Sequence, residues 1–393
     1  MISSVYVYDA VRSPRGKARA DGSLARHAPQ ELVRQLVVAL DDRVGGVVRS
    51  ANTLLLGCVG QIGAQGGNIA LVSKLHSGLP DDVSVCSLNN YCVSSLTAIG
   101  QAATLVHSGQ AQRVLAGGVE MMSRVPFMAD AADYYTDATF AARTRYLPVA
   151  LAADRLAEEE QIDRATMDAL ALESQRRAAH AETSSALNRS RIAIKTADGA
   201  VALAKDECVR PQSTPESLAA MQPAFGELAR AYADALGHRR IDHRHTIAHA
   251  PPICDGASLS FVAGPIDGLK PRARIVSYAE AGGDPHTSLL AGLSAMDRAL
   301  ARAGMKLDDI DCIEFMEAFA VTIAKFLRDR RVDSARVNVS GGHMAKGHPM
   351  GASGGILLST LLDVLEARDA TTGLVVASGA AGAGAAMVVK RLR

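Results

Sequence analysis

Between Val83 and Met122 the apolar positions change their period twice. VSVCSL (83–88) is apolar and β-prone, and Asn89-Asn90 signals a turn. Leu96, Ile99, Ala103 and Val106 then recur at helical spacing. Ser108-Gly109 closes that helix, and RVLAGGVE (113–120) returns as a strand. The same order recurs near the other end: RVNVS (336–340), a glycine-rich loop, the helix GILLSTLLDVLEA (355–367), the strand GLVVASG (373–379) and a second glycine-rich loop. VLAGG in the first run echoes VVASG in the second, which predicts two related α/β halves. Strand–helix alternation predicts mainly parallel sheets covered by helices, with ligands at the carboxyl ends of strands. Cys92, His348 and Ser378 all fall at such ends.

From 123 to 249 the pattern changes. DRLAEEEQIDRATMDALALESQRRAAHAE is strongly helical and charged, with irregular stretches on either side, and reads as an inserted, mostly helical region. The predicted organisation is a first half over 1–122, completed by about 250–272, the insert over 123–249, and a second half over 273–393.

Composition narrows the function classes. With 393 residues, 48% of them hydrophobic, the chain can bury a large core. Its 42 basic and 41 acidic residues give a net charge of +1, so there is no general attraction for nucleic acid or an anionic membrane. An anionic ligand needs a local basic cluster, and HRRIDHRH (238–245) is a candidate. No apolar run reads as a bilayer span of ~20 residues and no signal-peptide layout opens the chain, so a soluble, cytoplasmic protein is expected. Cys58, Cys86, Cys92, Cys208, Cys254 and Cys312 form no CxxC pair or metal-ligand spacing, which argues against structural disulfides and zinc. Most of them sit in apolar runs and read as small buried hydrophobes.

Cys92 differs because it follows a turn and opens a predicted helix, where free N–H groups and the helix dipole favour thiolate. Its alternative is a buried helix-start cysteine. His348, in the rigid loop HMAKGHPMGASGG, is a candidate general base for a thiol, or else a structural loop histidine. Ser378 ends a buried strand among small residues that allow close approach of a ligand, or simply satisfies the strand end.

These residues carry a family resemblance. NNYCVSSLTAIGQAATLVHSGQAQRVLAGGVEMMS resembles the thiolase segment around the acyl-accepting cysteine, MEAFA resembles the family's NEAFA block, and GHPMGASGG matches its GHPxGxSG block. RSPRGKARADGSLA, DECVRPQSTPESLAAMQPAF, CDGAS and VVASGAAGAGAAMVV also find counterparts, in family order. The resemblance implies a thiolase-like fold: two similar α/β/α/β/α halves with an inserted loop domain, assembled as a homodimer or homotetramer. It also implies that coenzyme A and acyl-CoA are substrates, with no permanently bound cofactor and no metal. Cys92 would be acylated with help from His348. The N–H groups of Cys92 and Ala380 would form one oxyanion hole, and His348 would belong to another. Ala318 and Phe319 would border the pantetheine channel, with Phe225, Ala250 and Met316 also on the substrate side.

The chain departs from the family at the second half-reaction. Ser378 stands where members that make or break carbon–carbon bonds have a second cysteine, and Met316 stands where they have an asparagine that positions a water. The coenzyme A loop reads IAHAPP (247–252), and HTSLLAGL (286–293) replaces a methionine-glycine block. Three readings stay open: an acyltransferase acting on 3-oxoacyl-CoA or acetyl-CoA through acyl-Cys92, a hydrolase or non-condensing acyl transferase, and a weakly catalytic CoA-ester-binding protein.

Overall fold

The computed structural model describes residues 4–393. Its first half runs β1 (Tyr6–Arg12), β2 (Gly16–Lys17), α1 (Pro29–Arg43), β3 (Thr53–Gly57), α2 (Ile69–His76), β4 (Ser84–Leu88), α3 (Ser94–His107) and β5 (Arg113–Met121). The following region holds α4 (Asp133–Thr136), α5 (Ala138–Arg143), α6 (Val149–Glu159), α7 (Arg164–Ala181), a hairpin of β6 (Ile194–Lys195) and β7 (Val201–Leu203), α8 (Pro215–Ala219) and α9 (Gly226–Ala231). The chain then forms β8 (Cys254–Ala263), β9 (Ala273–Gly282), α10 (Ala291–Ala303), β10 (Cys312–Phe315), α11 (Ala320–Arg330), α12 (His343–Lys346), α13 (Ser353–Ala367), β11 (Thr372–Ser378) and β12 (Ala383–Arg391).

One ten-stranded sheet has the order β10-β11-β12-β9-β1-β8-β5-β3-β4, with β2 added beside β8. Read outward from its centre, where β1 pairs with β9, each half has the same order: β1-β8-β5-β3-β4 against β9-β12-β11-β10 and a single parallel bridge from Ile313 to Val337. The repeat suggested by VLAGG and VVASG is thus a repeat of topology. RVNVS does not form the fifth strand of its half. Asn338 takes φ 46° and its side chain accepts from Phe315 N–H and donates to Phe315 C=O, so the ladder stops at one bridge.

The sheet is mixed rather than mainly parallel. Pairs β3–β4, β3–β5 and β10–β11 are parallel, whereas β1–β8, β5–β8, β9–β12 and β11–β12 are antiparallel. The reason is visible at the second glycine-rich loop, where only four residues, Gly379–Gly382, separate β11 from β12, and so tight a turn joins antiparallel neighbours only.

Apolar packing forms layers. Leu32, Leu36 and Leu40 of α1 pack with Leu54, Leu259 and Phe261 on one face of the first half. Leu96 and Ile99 of α3 and Leu357, Leu361 and Leu365 of α13 form a central core with Val114, Val262, Val375 and Met387. Met296 and Leu300 of α10 and Phe326 of α11 pack with Ile313, Leu374 and Val388, and α6 and α7 of the inserted region join that cluster. The span Met350–Ala367 has the length and hydropathy of a bilayer-crossing helix, which the reading of apolar runs had not picked out, yet 89% of it is buried inside the protein. Arg12 anchors the inserted region to β1 by bonding both oxygens of buried Asp206 at 2.8 and 2.9 Å.

Candidate active site

Cys92 lies in the turn between β4 and α3. Asn89 Oδ1 accepts from Tyr91 N–H at 2.9 Å, and Ser94 Oγ accepts from Asn90 N–H at 2.8 Å while donating to Tyr91 C=O at 2.6 Å. These bonds hold Tyr91 at φ 49° and lift Cys92 into a cavity. The helix opens at Ser94, two residues later than the pattern predicts.

The backbone N–H groups of Ala380 and of Cys92 itself act on the sulfur in the direction of thiolate. Ala380 belongs to the β11–β12 turn, which is held by the Gly379 N–H to Ala383 C=O bond at 2.7 Å and by the bond from Ala381 N–H to Ser288 Oγ at 2.8 Å. Burial outweighs those two donors, and the thiol is pushed up to about 12. The helix-start argument for a resting thiolate therefore fails in the folded protein, because desolvation is the larger effect.

His348 is placed by its backbone. Gly347 adopts φ +97°, and a Cβ there would stand 2.8 Å from Cys254 Sγ, so only glycine fits. His348 N–H donates to Pro252 C=O at 2.9 Å, and Nδ1 meets Ser353 Oγ at 2.7 Å. That contact leaves Nε2 as the nitrogen for chemistry. Burial, helped by the positive charge of Arg15, drives the imidazole down to about 3, so it is neutral near pH 7 and can accept a proton.

Cys92, His348, Ser378 and Ala380 share one cavity of about 620 Å³, also lined by Phe225, Ala250, Ala318 and Phe319. Phe225 and Phe319 meet edge to face with centroids 5.9 Å apart. Met316 is not among the described residues that line it. It is 1% exposed, lies in the central core, and its N–H extends the sheet by donating to Val376 C=O at 2.8 Å. Ser378 is buried, and its Oγ accepts from Gly292 N–H in the first turn of α10 at 3.1 Å.

Part of the HRRIDHRH cluster is held internally, while His238, Arg239 and Arg240 are exposed. His243 and His245 both bond Asp154 at 2.7 Å, Arg244 bonds Asp242, Ala157 and Ile162, and Arg239 pairs with Glu158. These contacts tie the end of the insert to α6. Arg210, from the DECVRP stretch, lines the cavity instead. Among the described residues no group of three or more His, Cys, Asp or Glu side chains is placed to hold a metal ion.

Sequence reading missed Glu120 and Ser353. Fully buried Glu120 accepts from Val59 N–H at 2.9 Å, Gly60 N–H at 3.1 Å, Gly351 N–H at 3.0 Å and Gln65 Nε2 at 2.8 Å, fixing the GHPMG loop against the first half. A carboxylate inside the apolar strand RVLAGGVE was the available signal.

The thiolase N-terminal domain family matches residues 5–231, and the thiolase C-terminal domain family matches residues 269–391. A β-ketoadipyl-CoA thiolase of Pseudomonas knackmussii is 34% identical, with 100% of each chain covered. An acetyl-CoA acetyltransferase of Escherichia coli is 34% identical over 98% of each. The crystal structure of the Bacillus anthracis acetyl-CoA acetyltransferase superposes with a TM-score of 0.86 at 27% identity, covering 100% of this chain and 99% of that one. The two half-repeats, the shared cavity and these end-to-end likenesses lead to one conclusion: this chain belongs to the thiolase family.

Proposed function

We propose that the protein is a thiolase-type acyltransferase that takes an acyl group from a coenzyme A thioester onto Cys92. The observation that carries this reading is that Cys92 shares one cavity with the Ala380 turn and with a neutral histidine, His348. His348 Nε2 accepts the thiol proton as the sulfur attacks the thioester carbonyl. The N–H groups of Cys92 and Ala380 are the donors for the oxyanion that forms on the acyl carbonyl. Collapse breaks the bond to the CoA sulfur, which leaves as thiol with the proton held by His348. The product is acyl-Cys92.

The second step transfers the acyl group to an acceptor. Ser378, a hydroxyl already accepting from Gly292 N–H, is a poor proton shuttle near neutral pH. That favours transfer to a thiol or to water over carbon–carbon bond formation. Arg210 at the cavity is the candidate contact for the anionic part of coenzyme A. Strand β4 ends the sheet with Ser84 and Cys86 exposed, an edge to which a second copy can add, and a homodimer or homotetramer is part of the proposal. Light scattering on the purified chain tests the assembly.

Intact-protein mass spectrometry after incubation with acetyl-CoA and longer acyl-CoAs tests the chemistry. One acyl group on Cys92, absent from Cys92→Ala, is expected. Label on Cys254 or Cys312, or undiminished label in Cys92→Ala, overturns the assignment.

A further inference from the structure

Beside His348 the protein buries charge that acyl transfer, as described above, does not use. Arg15 directly precedes β2, whose Gly16 and Lys17 lie opposite Asp255 and Cys254 of β8, and His348 bridges Ile253 next door. His348 and the two residues that follow Arg15 thus border the same stretch, 253–255. Arg15 is 2% exposed, and its Nε and Nη1 are buried with no partner among the described residues. Asp206 does not pair with this guanidinium: its oxygens bond the Arg12 side chain and the backbone N–H of Arg15.

Three more side chains share this interior. His343 of α12 is fully buried, sets its ring edge to face with His348 at 5.1 Å, and leaves both nitrogens unpartnered. Glu314 of β10 is 2% exposed, with Oε1 unpartnered. Lys346 is 1% exposed, and its Nζ reaches Ser340 Oγ at 3.1 Å. The charges of Arg15 and Lys346 act on both Glu314 and His343, which puts the four groups within electrostatic range of one another, with Arg12 and Asp206 acting on the same interior.

Buried polar atoms are rarely left without a partner, so this set points to an occupant. Arg15 Nε and Nη1 can only donate, the Glu314 carboxylate oxygen accepts, and neutral His343 offers one donor and one acceptor. An anion would meet the first and repel the second; a cation would do the reverse. Water donates and accepts, and buried water serves groups of this kind.

We propose that ordered water fills the space between Arg15, Glu314, His343 and Lys346, and that this hydrated cluster holds the unpaired Arg15 guanidinium behind His348. There the charge opposes formation of imidazolium. Together with burial, the larger effect, it keeps the resting Cys92–His348 pair as neutral thiol and neutral imidazole until an acyl donor arrives. Arg15 is a positioning residue in this scheme, acting through His348. The functional half rests on the assignment of Cys92 and His348 given above.

Two measurements test it. A crystal structure of the unmodified chain should show waters within hydrogen-bond reach of Arg15 Nε and Nη1, Glu314 Oε1 and the His343 ring. A dry gap, direct contact between these side chains, or an ion identified by anomalous scattering overturns the hydrated cluster whatever the variants do. The second measurement is alkylation of Cys92 by iodoacetamide at neutral pH, followed by intact mass. Arg15→Met should speed it about tenfold or more, since removing a nearby cation makes the imidazole more basic and favours the thiolate–imidazolium pair. Arg15→Lys, which keeps the charge, should stay within about threefold of the unmodified chain. A merely structural arginine gives slower or unchanged alkylation in folded Arg15→Met, and that result overturns the role. Acylation by acyl-CoA separates the two readings. Failure of acylation with the alkylation pattern intact removes the proposed function alone, and acylation without any Arg15 effect removes this inference alone.

Discussion

Replacing Ser378 by Cys tests how far the second half-reaction is limited by its proton shuttle. Ser378 Oγ lines the cavity with Cys92 and His348 and accepts one bond, from Gly292 N–H at 3.1 Å. Gly292 has no Cβ; one built there would stand 2.4 Å from Oγ, so the site already depends on a bare backbone facing residue 378. A thiol in the same place has a reference pKa of ~8.5, far below that of a serine hydroxyl, and a helix-start N–H beside it favours the anion by a further ~0.3–1 kcal/mol. A positioned acid/base contributes ~10²–10⁴-fold, so Ser378→Cys should raise carbon–carbon bond turnover by about 10²-fold or more, equivalent to about 3 kcal/mol of barrier. Acylation of Cys92 uses His348 and the two N–H donors, and should change by less than about threefold. The assay follows both in one preparation: acyl-enzyme by mass spectrometry, and thiolysis of acetoacetyl-CoA by loss of its enolate absorbance. Vigorous thiolysis by the unmodified chain, with no gain from Ser378→Cys, would refute the reasoning by showing that another residue moves the proton.

Ser353→Ala removes the partner of His348 Nδ1 and should slow Cys92 acylation by about 3–10-fold, the kinetic worth of a hydrogen bond of about 0.5–1.5 kcal/mol; an unchanged single-turnover rate refutes the orienting role. Met316→Asn buries an amide in the central core and should lower stability by about 1–3 kcal/mol in urea denaturation, whereas a neutral or stabilising result would mean that position 316 finds polar company there. Since burial raises the Cys92 thiol to about 12, its alkylation rate should climb roughly tenfold per pH unit from pH 7 to 10, and a plateau in that range contradicts a desolvated thiol. Gly347→Ala combines φ +97° with a Cβ 2.8 Å from Cys254 Sγ, and should destabilise the fold by about 1–3 kcal/mol or more while abolishing acylation, read by thermal unfolding and mass spectrometry.

Much of the architecture was legible in the chain because it depends on local periodicity. The strand predicted at 113–120 is β5, Arg113–Met121; the helix predicted at 355–367 is α13, Ser353–Ala367; and the strand at 373–379 is β11, Thr372–Ser378. The echo between VLAGG and VVASG was short, yet it marked corresponding strands of two equivalent half-sheets. Strand direction was not legible, since pairing is a long-range choice that no local pattern carries, and the antiparallel β8 and β12 turned the sheet mixed. RVNVS lost its strand to the positive φ of Asn338 and the bonds of its side chain, a competition that tertiary contacts decided. Motif order named Cys92, His348, Ser378 and Ala380, and folding brings all four to one cavity. Electrostatics were decided by tertiary structure alone. The residues before α3 suggested a thiolate, but burial supplied by the rest of the chain set the opposite sense. Two histidines of HRRIDHRH were likewise taken up by Asp154, which lies some ninety positions earlier in the sequence. Arg15 and His343, far apart in sequence and unremarkable there, became unpaired buried neighbours of His348. A charge is read off the sequence, whereas its environment is the sum of everything folded around it, and no spacing along the chain records that sum.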